Sequence, residues 1–393
     1  MKKIFLLIYS TLLLVSCGQS GPGEIQPQRR EVQACLDSLV IVNEIPGANF
    51  SVVLPDGRIE NYSSGYEDIE ENIPLRPDRV MFSGSVGKTY AVALLMQLVD
   101  QGKVSLHDRF YDYFPDIEWL NRLPNINEIS VEMLLKHTSG LPRWVMGPGV
   151  WKEISENPDK IWSYSDRLSY VFDMNAVHPA GKGWGYSDTN YLLLGMLIEK
   201  LTGEDYYDLV RQNILEPLEL KNTHPSLKRN ITDLSQGYSR LPALFLSPEK
   251  VVTDGKYYFN PQMEWTGGGM ASTTEDLARW AGLYYSNTLF SDSLSAKIMA
   301  EPDESIQMSP VAWYSLGSFI YKTKSGLAYG HTGFVPGFNA IFAYYPDSDL
   351  AVAMQFNSDF AGNRLPHILY LDQLVSFYTG NGGSQDQEHK PGM

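Results

Sequence analysis

Three short motifs hold the residues best suited to covalent chemistry. They fall in the order Ser85-Val86-Gly87-Lys88, Tyr186-Ser187-Asp188 and His331-Thr332-Gly333. A serine hydroxyl is a weak nucleophile until a base removes its proton, and a lysine can be that base only if its pKa is lowered. Positions three apart share a helix face, so Ser85 and Lys88 can meet at the start of a predicted helix. Burial and the field of a helix N-terminus both disfavour the ammonium form. A helix start also turns the Ser85 backbone N–H outward, as half of an oxyanion hole. Tyr186 adds a phenol that can carry a proton. Such a set would transfer an acyl group through a serine ester.

Each motif has a competitor. Ser-x-x-Lys recurs at Ser247-Pro248-Glu249-Lys250, where Pro follows the Ser and no apolar helix stands behind; that copy reads as surface. Literal Tyr-x-Asn occurs at Tyr258-Phe259-Asn260 and at Tyr285-Ser286-Asn287, the latter at a predicted helix end where Asn is a common cap. Lys324-Ser325-Gly326 separates two predicted strands and reads as a hairpin turn. The seven histidines are scattered without metal-ligand spacing, so neither a metal nor another cofactor is expected.

The flanking residues carry more weight than the motifs alone. Ser85 lies in Met81-Phe82-Ser83-Gly84-Ser85-Val86-Gly87-Lys88. Tyr186 follows Pro179, Gly181 and Trp184 and precedes Leu192-Leu193-Leu194-Gly195. His331 lies in Tyr329-Gly330-His331-Thr332-Gly333-Phe334-Val335-Pro336-Gly337-Phe338. Over roughly residues 35–380 the chain resembles the serine β-lactamase, D,D-peptidase and esterase superfamily, most closely its class C-like branch.

The resemblance implies Ser85 as nucleophile, with Lys88 and Tyr186 handling its proton. It implies an oxyanion hole from the Ser85 and Phe334 N–H groups. It implies a substrate strand in which Gly333 admits the substrate backbone and Thr332 and His331 touch polar substrate groups, with Asp188 also at the substrate. A histidine so placed would titrate near neutral pH. Leu134-Leu135-Lys136-His137-Thr138-Ser139-Gly140-Leu141-Pro142 and Gly267-Gly268-Gly269-Met270-Ala271-Ser272-Thr273 look like family loops near the site, with His137 structural. The implied substrates are D-alanyl peptides or small esters. β-Lactam turnover, and a homologue that binds peptidoglycan or another ligand without turnover, remain open.

Asp188 departs from the family, where Asn is usual. Asn can both accept and donate, whereas an ionised Asp only accepts. Beside Lys88 it would favour the ammonium and shift the base role toward Tyr186.

The elements that must position these residues are legible in outline. Helices are expected near 31–43, 85–101, 188–202 and 364–378, and from the cap Thr274 to Tyr284; Gly102 and Gly203 are stops. Strands are expected at 49–54 and 58–65 around Pro55-Asp56-Gly57, and at 315–321, 328–332, 338–345 and 350–357. Strands at both ends with helices between imply an α+β fold: an antiparallel sheet flanked by helices, plus a mostly helical subdomain.

Residues 1–16 pair Met1-Lys2-Lys3 with an apolar run, as in a secretory signal. Leu14-Val15-Ser16-Cys17 resembles a bacterial lipobox, which would lipidate Cys17, leave residues 17–34 as a tether and place an exported lipoprotein in the cell envelope, anchored at a membrane face. Residues 381–393 read as a disordered tail. A net charge of −15 disfavours nucleic acid. Besides Cys17, Cys35 is the other cysteine, so no disulfide framework exists; Cys35 is expected as a small buried apolar residue.

Overall fold

In a computed structural model, described for residues 27–286, 289–359 and 367–380, the two ends of the chain build the middle of one sheet. The strand Gly47–Val53 pairs antiparallel with Leu350–Phe356, Ala48 opposite Phe356. To one side lie Ile59–Asp68 and Ile73–Pro74. To the other lie Phe338–Tyr345, Gly326–Val335, Phe319–Thr323, Ala312–Tyr314 and Ile306–Ser309, nine strands in all.

Every residue of Phe338–Tyr345 and of Leu350–Phe356 is buried. Both faces are covered, so these strands read as apolar runs rather than as alternating patterns. On one face Ile341, Val352 and Met354 pack with Leu36 of the helix Pro27–Val42 and Leu371 of the helix His367–Val375. On the other, Phe342 and Ala353 join a larger core with Leu277 and Trp280 of the helix Thr274–Tyr285. That same core takes in the nucleophile helix and the helical subdomain. Here short helices such as Val131–Leu135, Val150–Glu156 and Tyr164–Leu168 surround the longer Asp188–Thr202.

The helix Lys88–Asp100 is buried continuously from Lys88 to Met96. A helix covered on all sides needs no single apolar stripe. It is preceded by a tight 3-10 turn, Gly84–Gly87, and followed by Gly102 at φ 69°. Trp280 fixes it from the sheet side. The Trp280 ring stacks on Tyr90 at 4.6 Å, and its Nε1–H donates to Thr89 Oγ1 at 2.8 Å.

Several boundaries differ from expectation. The first helix starts at Pro27, so residues 27–34 of the expected tether belong to the folded unit. Cys35 on that helix is a half-buried free thiol. The strand expected from Ser315 starts at Phe319, because Ser315 to Ser318 is a turn closed by the Ser315 N–H on the Ser318 carbonyl at 2.9 Å. The residues before that turn form the additional strand Ala312–Tyr314. The third-motif strand is longer than expected and spans Gly326–Val335. The signal, Cys17 and the tail from 381 lie outside the described residues. Among the described residues no helix is long and apolar enough to cross a membrane.

Candidate active site

The structure brings Ser85, Lys88, Tyr186 and Asp188 into one cluster. Ser85 sits half-exposed in the 3-10 turn, whose first N–H groups have no intrahelical acceptor. Lys88 opens the following helix with its side chain fully buried. Its Nζ donates to Ser85 Oγ at 3.1 Å, to Asp188 Oδ1 at 2.7 Å and to the Gly267 carbonyl. Three acceptors therefore saturate the ammonium.

Asp188 is the first residue of the helix Asp188–Thr202, where the N-terminal dipole favours a carboxylate. Its second oxygen accepts from Arg143 Nη2 at 2.8 Å and Nε at 3.1 Å. Burial works against its charge, but Lys88 and then Arg143 overcome it and hold the carboxyl well below its ordinary range. Burial is the strongest single influence on Lys88 and pulls the other way, yet Asp188 and Tyr186 together outweigh it and the net shift is upward. The expectation that Asp188 favours the ammonium therefore agrees with the electrostatics.

Tyr186 precedes Asp188 by two residues. Lys88 Nζ lies 5.0 Å, and Arg143 Cζ 5.3 Å, from the centre of its ring. The buried hydroxyl makes no well-aligned hydrogen bond, although Ser85 and Lys88 both lie near enough to influence its ionisation. Burial raises its pKa more than Lys88 lowers it. The resting pair is thus a neutral phenol beside an ammonium, and removal of one proton is a property of the pair.

The third motif packs directly on the nucleophile turn. A Cβ built on Gly333 would stand 1.8 Å from the Ser83 carbonyl oxygen and 3.2 Å from Ser85 N. Gly84, at φ 49°, has the same relation to Phe334, whose backbone N lies 2.5 Å from its Cβ position. These glycines let the strand and the turn touch backbone to backbone, which sets the Ser85 and Phe334 peptides side by side. Gly333 is spent on this contact rather than on admitting substrate. Gly333→Ala is expected to cost about 3 kcal/mol or more by overpacking and to abolish labelling of Ser85. Wild-type thermal stability in that variant would refute the contact.

His331 and Thr332 differ from expectation. His331 is fully buried, with Nδ1–H donating to its neighbour Thr332's carbonyl at 2.6 Å and Nε2 3.4 Å from the Tyr314 hydroxyl. Burial, aided by Lys88, pushes its pKa down to about 3, so it stays neutral and carries no titrating charge for substrate. Thr332 pairs across the sheet with Ile341, and opposed side chains share a face. Its side chain therefore turns toward the terminal helices, away from Ser85. Phe334 is 38% exposed, and its ring rests against Phe245 at 5.3 Å.

His137 is buried at φ 57°. Its Nδ1 accepts from the Ser187 N–H at 3.2 Å and faces Asn190 Nδ2 at 2.9 Å. It supports the Tyr186 segment and stays neutral, because burial drives its pKa well down. The competing motifs lie elsewhere. Lys250 pairs with Asp68 and Glu70, the Ser247 hydroxyl donates to Ser239, and Lys324-Ser325-Gly326 turns between strands.

Two charged residues at the site were not read from the sequence. Arg143 follows the quoted loop ending at Pro142, and a buried carboxylate next to one lysine was the signal that a second cation had to be found. Glu264 precedes the glycine segment, which Arg167 holds through the Met263 and Gln262 carbonyls at 2.9 and 2.8 Å. Burial first, then Asp188, raises Glu264 from an ordinary 4.5 to about 7. The unfolded chain would shed this proton near 4.5, and the folded protein keeps it until about 7. Stability therefore falls as pH rises through that window. Glu264→Gln should flatten the fall and be more stable above pH 7, on the order of 2 kcal/mol for a half-buried group. Urea melts at pH 5 and 8 read this; parallel pH dependence in both proteins would contradict it.

The cluster combines a half-exposed serine, a lysine in contact with it, a phenol and paired backbone N–H groups. A model of the Beta-lactamase family matches residues 32–375. The chain belongs to this family. It is a β-lactamase-like serine hydrolase. Penicillin-binding protein 4 of Amycolatopsis lactamdurans is 24% identical over 340 residues, 84% of this chain and 85% of that protein. Among solved structures, a D-stereospecific amidohydrolase from Streptomyces sp. aligns with a TM-score of 0.75 at 24% identity, covering 89% of this chain and 98% of its own. The D-amino acid amidase of Ochrobactrum anthropi SV3, complexed with L-phenylalanine amide, aligns with a TM-score of 0.74 at 23% identity, covering 90% and 99%. At these identities the structural matches establish the β-lactamase-like fold alone.

Proposed function

We propose that this family member is an exported hydrolase acting through an acyl-serine at Ser85 on D-alanyl peptides, D-amino-acid amides or small esters. The observation that carries the reading is Lys88 Nζ at 3.1 Å from the hydroxyl of a half-exposed serine. The substrate carbonyl sits between the Ser85 and Phe334 N–H groups. The Tyr186–Lys88 pair first releases one proton to solvent, and Ser85 Oγ then attacks as the singly deprotonated pair takes the serine proton. Tyr186 returns a proton to the leaving nitrogen or oxygen, and water then cleaves the ester. Amide and peptide substrates are supported by the amidase and penicillin-binding relatives. Esters are supported by Asp188, which offers no N–H to a substrate amide. Export rests on the signal and on Cys17.

The test is intact mass and peptide mapping after a fluorophosphonate, then a screen of D-alaninamide, D-alanyl peptides, short esters and a chromogenic cephalosporin. A single adduct on Ser85 with turnover of an amide or ester is expected. Folded protein without an adduct would leave a ligand-binding homologue as the better reading. Cephalosporin turnover alone would reassign the substrate.

A further inference from the structure

The pairing of Arg143 with Asp188 is built by the backbone on both sides of it. Pro142 and Trp144 flank Arg143; Ser187 and Thr189 flank Asp188. The Pro142 carbonyl accepts from Ser187 Oγ at 2.9 Å and from Thr189 Oγ1 at 2.6 Å. The Trp144 N–H donates to Thr189 Oγ1 at 3.1 Å. Three buried hydrogen bonds thus clamp the two segments in register, and the guanidinium binds the carboxylate oxygen that Lys88 does not use. The Arg143 side chain is 43% exposed while that of Asp188 is 5% exposed, so solvent meets one end of the chain Arg143–Asp188–Lys88–Ser85 and the substrate serine lies at the other.

We propose that Arg143 is a positioning residue that sets how readily Lys88 yields its proton, by drawing part of the Asp188 charge toward itself. The proposal rests on the acyl-serine reading above. An aspartate facing Lys88 alone would hold the ammonium too firmly for a base. A guanidinium stays charged at any working pH, so it loads the carboxylate permanently from the far side. The other ionisable groups facing Lys88 are Tyr186 and Tyr191, whose ring centres lie 5.0 and 5.3 Å from Nζ, Glu264 from the glycine segment, and His137 and His331, which stay neutral. None of these makes an ion pair with Asp188. The aspartate that departs from the family's asparagine therefore comes with its own counter-charge.

The test follows the rate of Ser85 modification by a fluorophosphonate against pH, which requires no natural substrate. In Arg143→Gln the limb on which the rate rises with pH should move up by about one pH unit, with rates about tenfold lower below it and recovery above it. Arg143→Lys should restore most of the position, because it keeps the cation. In Asp188→Asn, adding Arg143→Gln should shift nothing further, since the residue acts through the carboxylate. A uniform loss at every pH with the limb unmoved, or no rescue by lysine, would mean that the clamp is only structural and would overturn the proposal. Absence of any Ser85 adduct in the unaltered protein would remove the acyl-serine reading itself, and the proposal with it.

Discussion

Ser85→Ala abolishes turnover and leaves the fold intact. Loss of the nucleophile removes the covalent path, so kcat should fall by about 10^4-fold or more, down to what binding and the oxyanion donors supply alone. The folded state loses little. Lys88 Nζ gives up its 3.1 Å contact to Oγ but keeps Asp188 and the Gly267 carbonyl. Removing one of three acceptors of an ammonium should change stability by about 1 kcal/mol at most. Affinity for an unreacted substrate should persist, read by calorimetry. Residual turnover at the wild-type rate would show that another group is the nucleophile.

Lys88→Met is expected to damage both activity and stability. The Lys88 side chain is 0% exposed and that of Asp188 5% exposed. Breaking a buried pair by deleting one partner costs about 3–5 kcal/mol, because the remaining charge stays buried. Arg143 still serves one oxygen, so the low end, about 3 kcal/mol, is expected. Activity should drop by about 10^2–10^4-fold with loss of the proton acceptor. The pH signature separates this from a packing defect. Asp188 is held below its ordinary range in the folded state, so it contributes stability above the unfolded value and loses it as pH falls through the folded one. The wild type should therefore weaken on acidification below about pH 4, and Lys88→Met should weaken less. Equal acid sensitivity in the two proteins would show that the pair carries no such coupling.

Much of this was legible in the sequence, for reasons that differ along the chain. Helix ends were marked by local chemistry: Gly203 at φ 76° closes Asp188–Thr202, as its position implied. Thr273, one residue earlier than expected, caps Thr274–Tyr285 through the Asp276 N–H. The turn at 346–349 joins two strands whose bounds match within a residue. The helix start at Pro27 was hidden because Gln- and Pro-rich composition masks a helix stabilised by packing on the sheet. At the site, residue types and order identified Ser85, Lys88 and Tyr186 as one group, and the structure places them together. Sequence could not show that Gly333 is occupied by the Ser83 carbonyl, since a glycine's contact partner has no local signature. Nor could it show that His331 is buried, or that Arg143 reaches Asp188 from 45 residues away. Those facts arise from burial and from contacts between distant segments.

The helix Pro27–Val42 lies on the sheet face opposite the nucleophile turn, beside the last helix. Ten residue steps separate Cys17 from Pro27, and an extended chain spans at most about 35 Å over that length. A lipid at Cys17 would thus act as a short leash fixed to the back of the molecule. Were Cys17 lipidated, that leash would enter on the sheet face opposite Ser85, so tethering would leave the serine side of the body uncovered by the point of attachment.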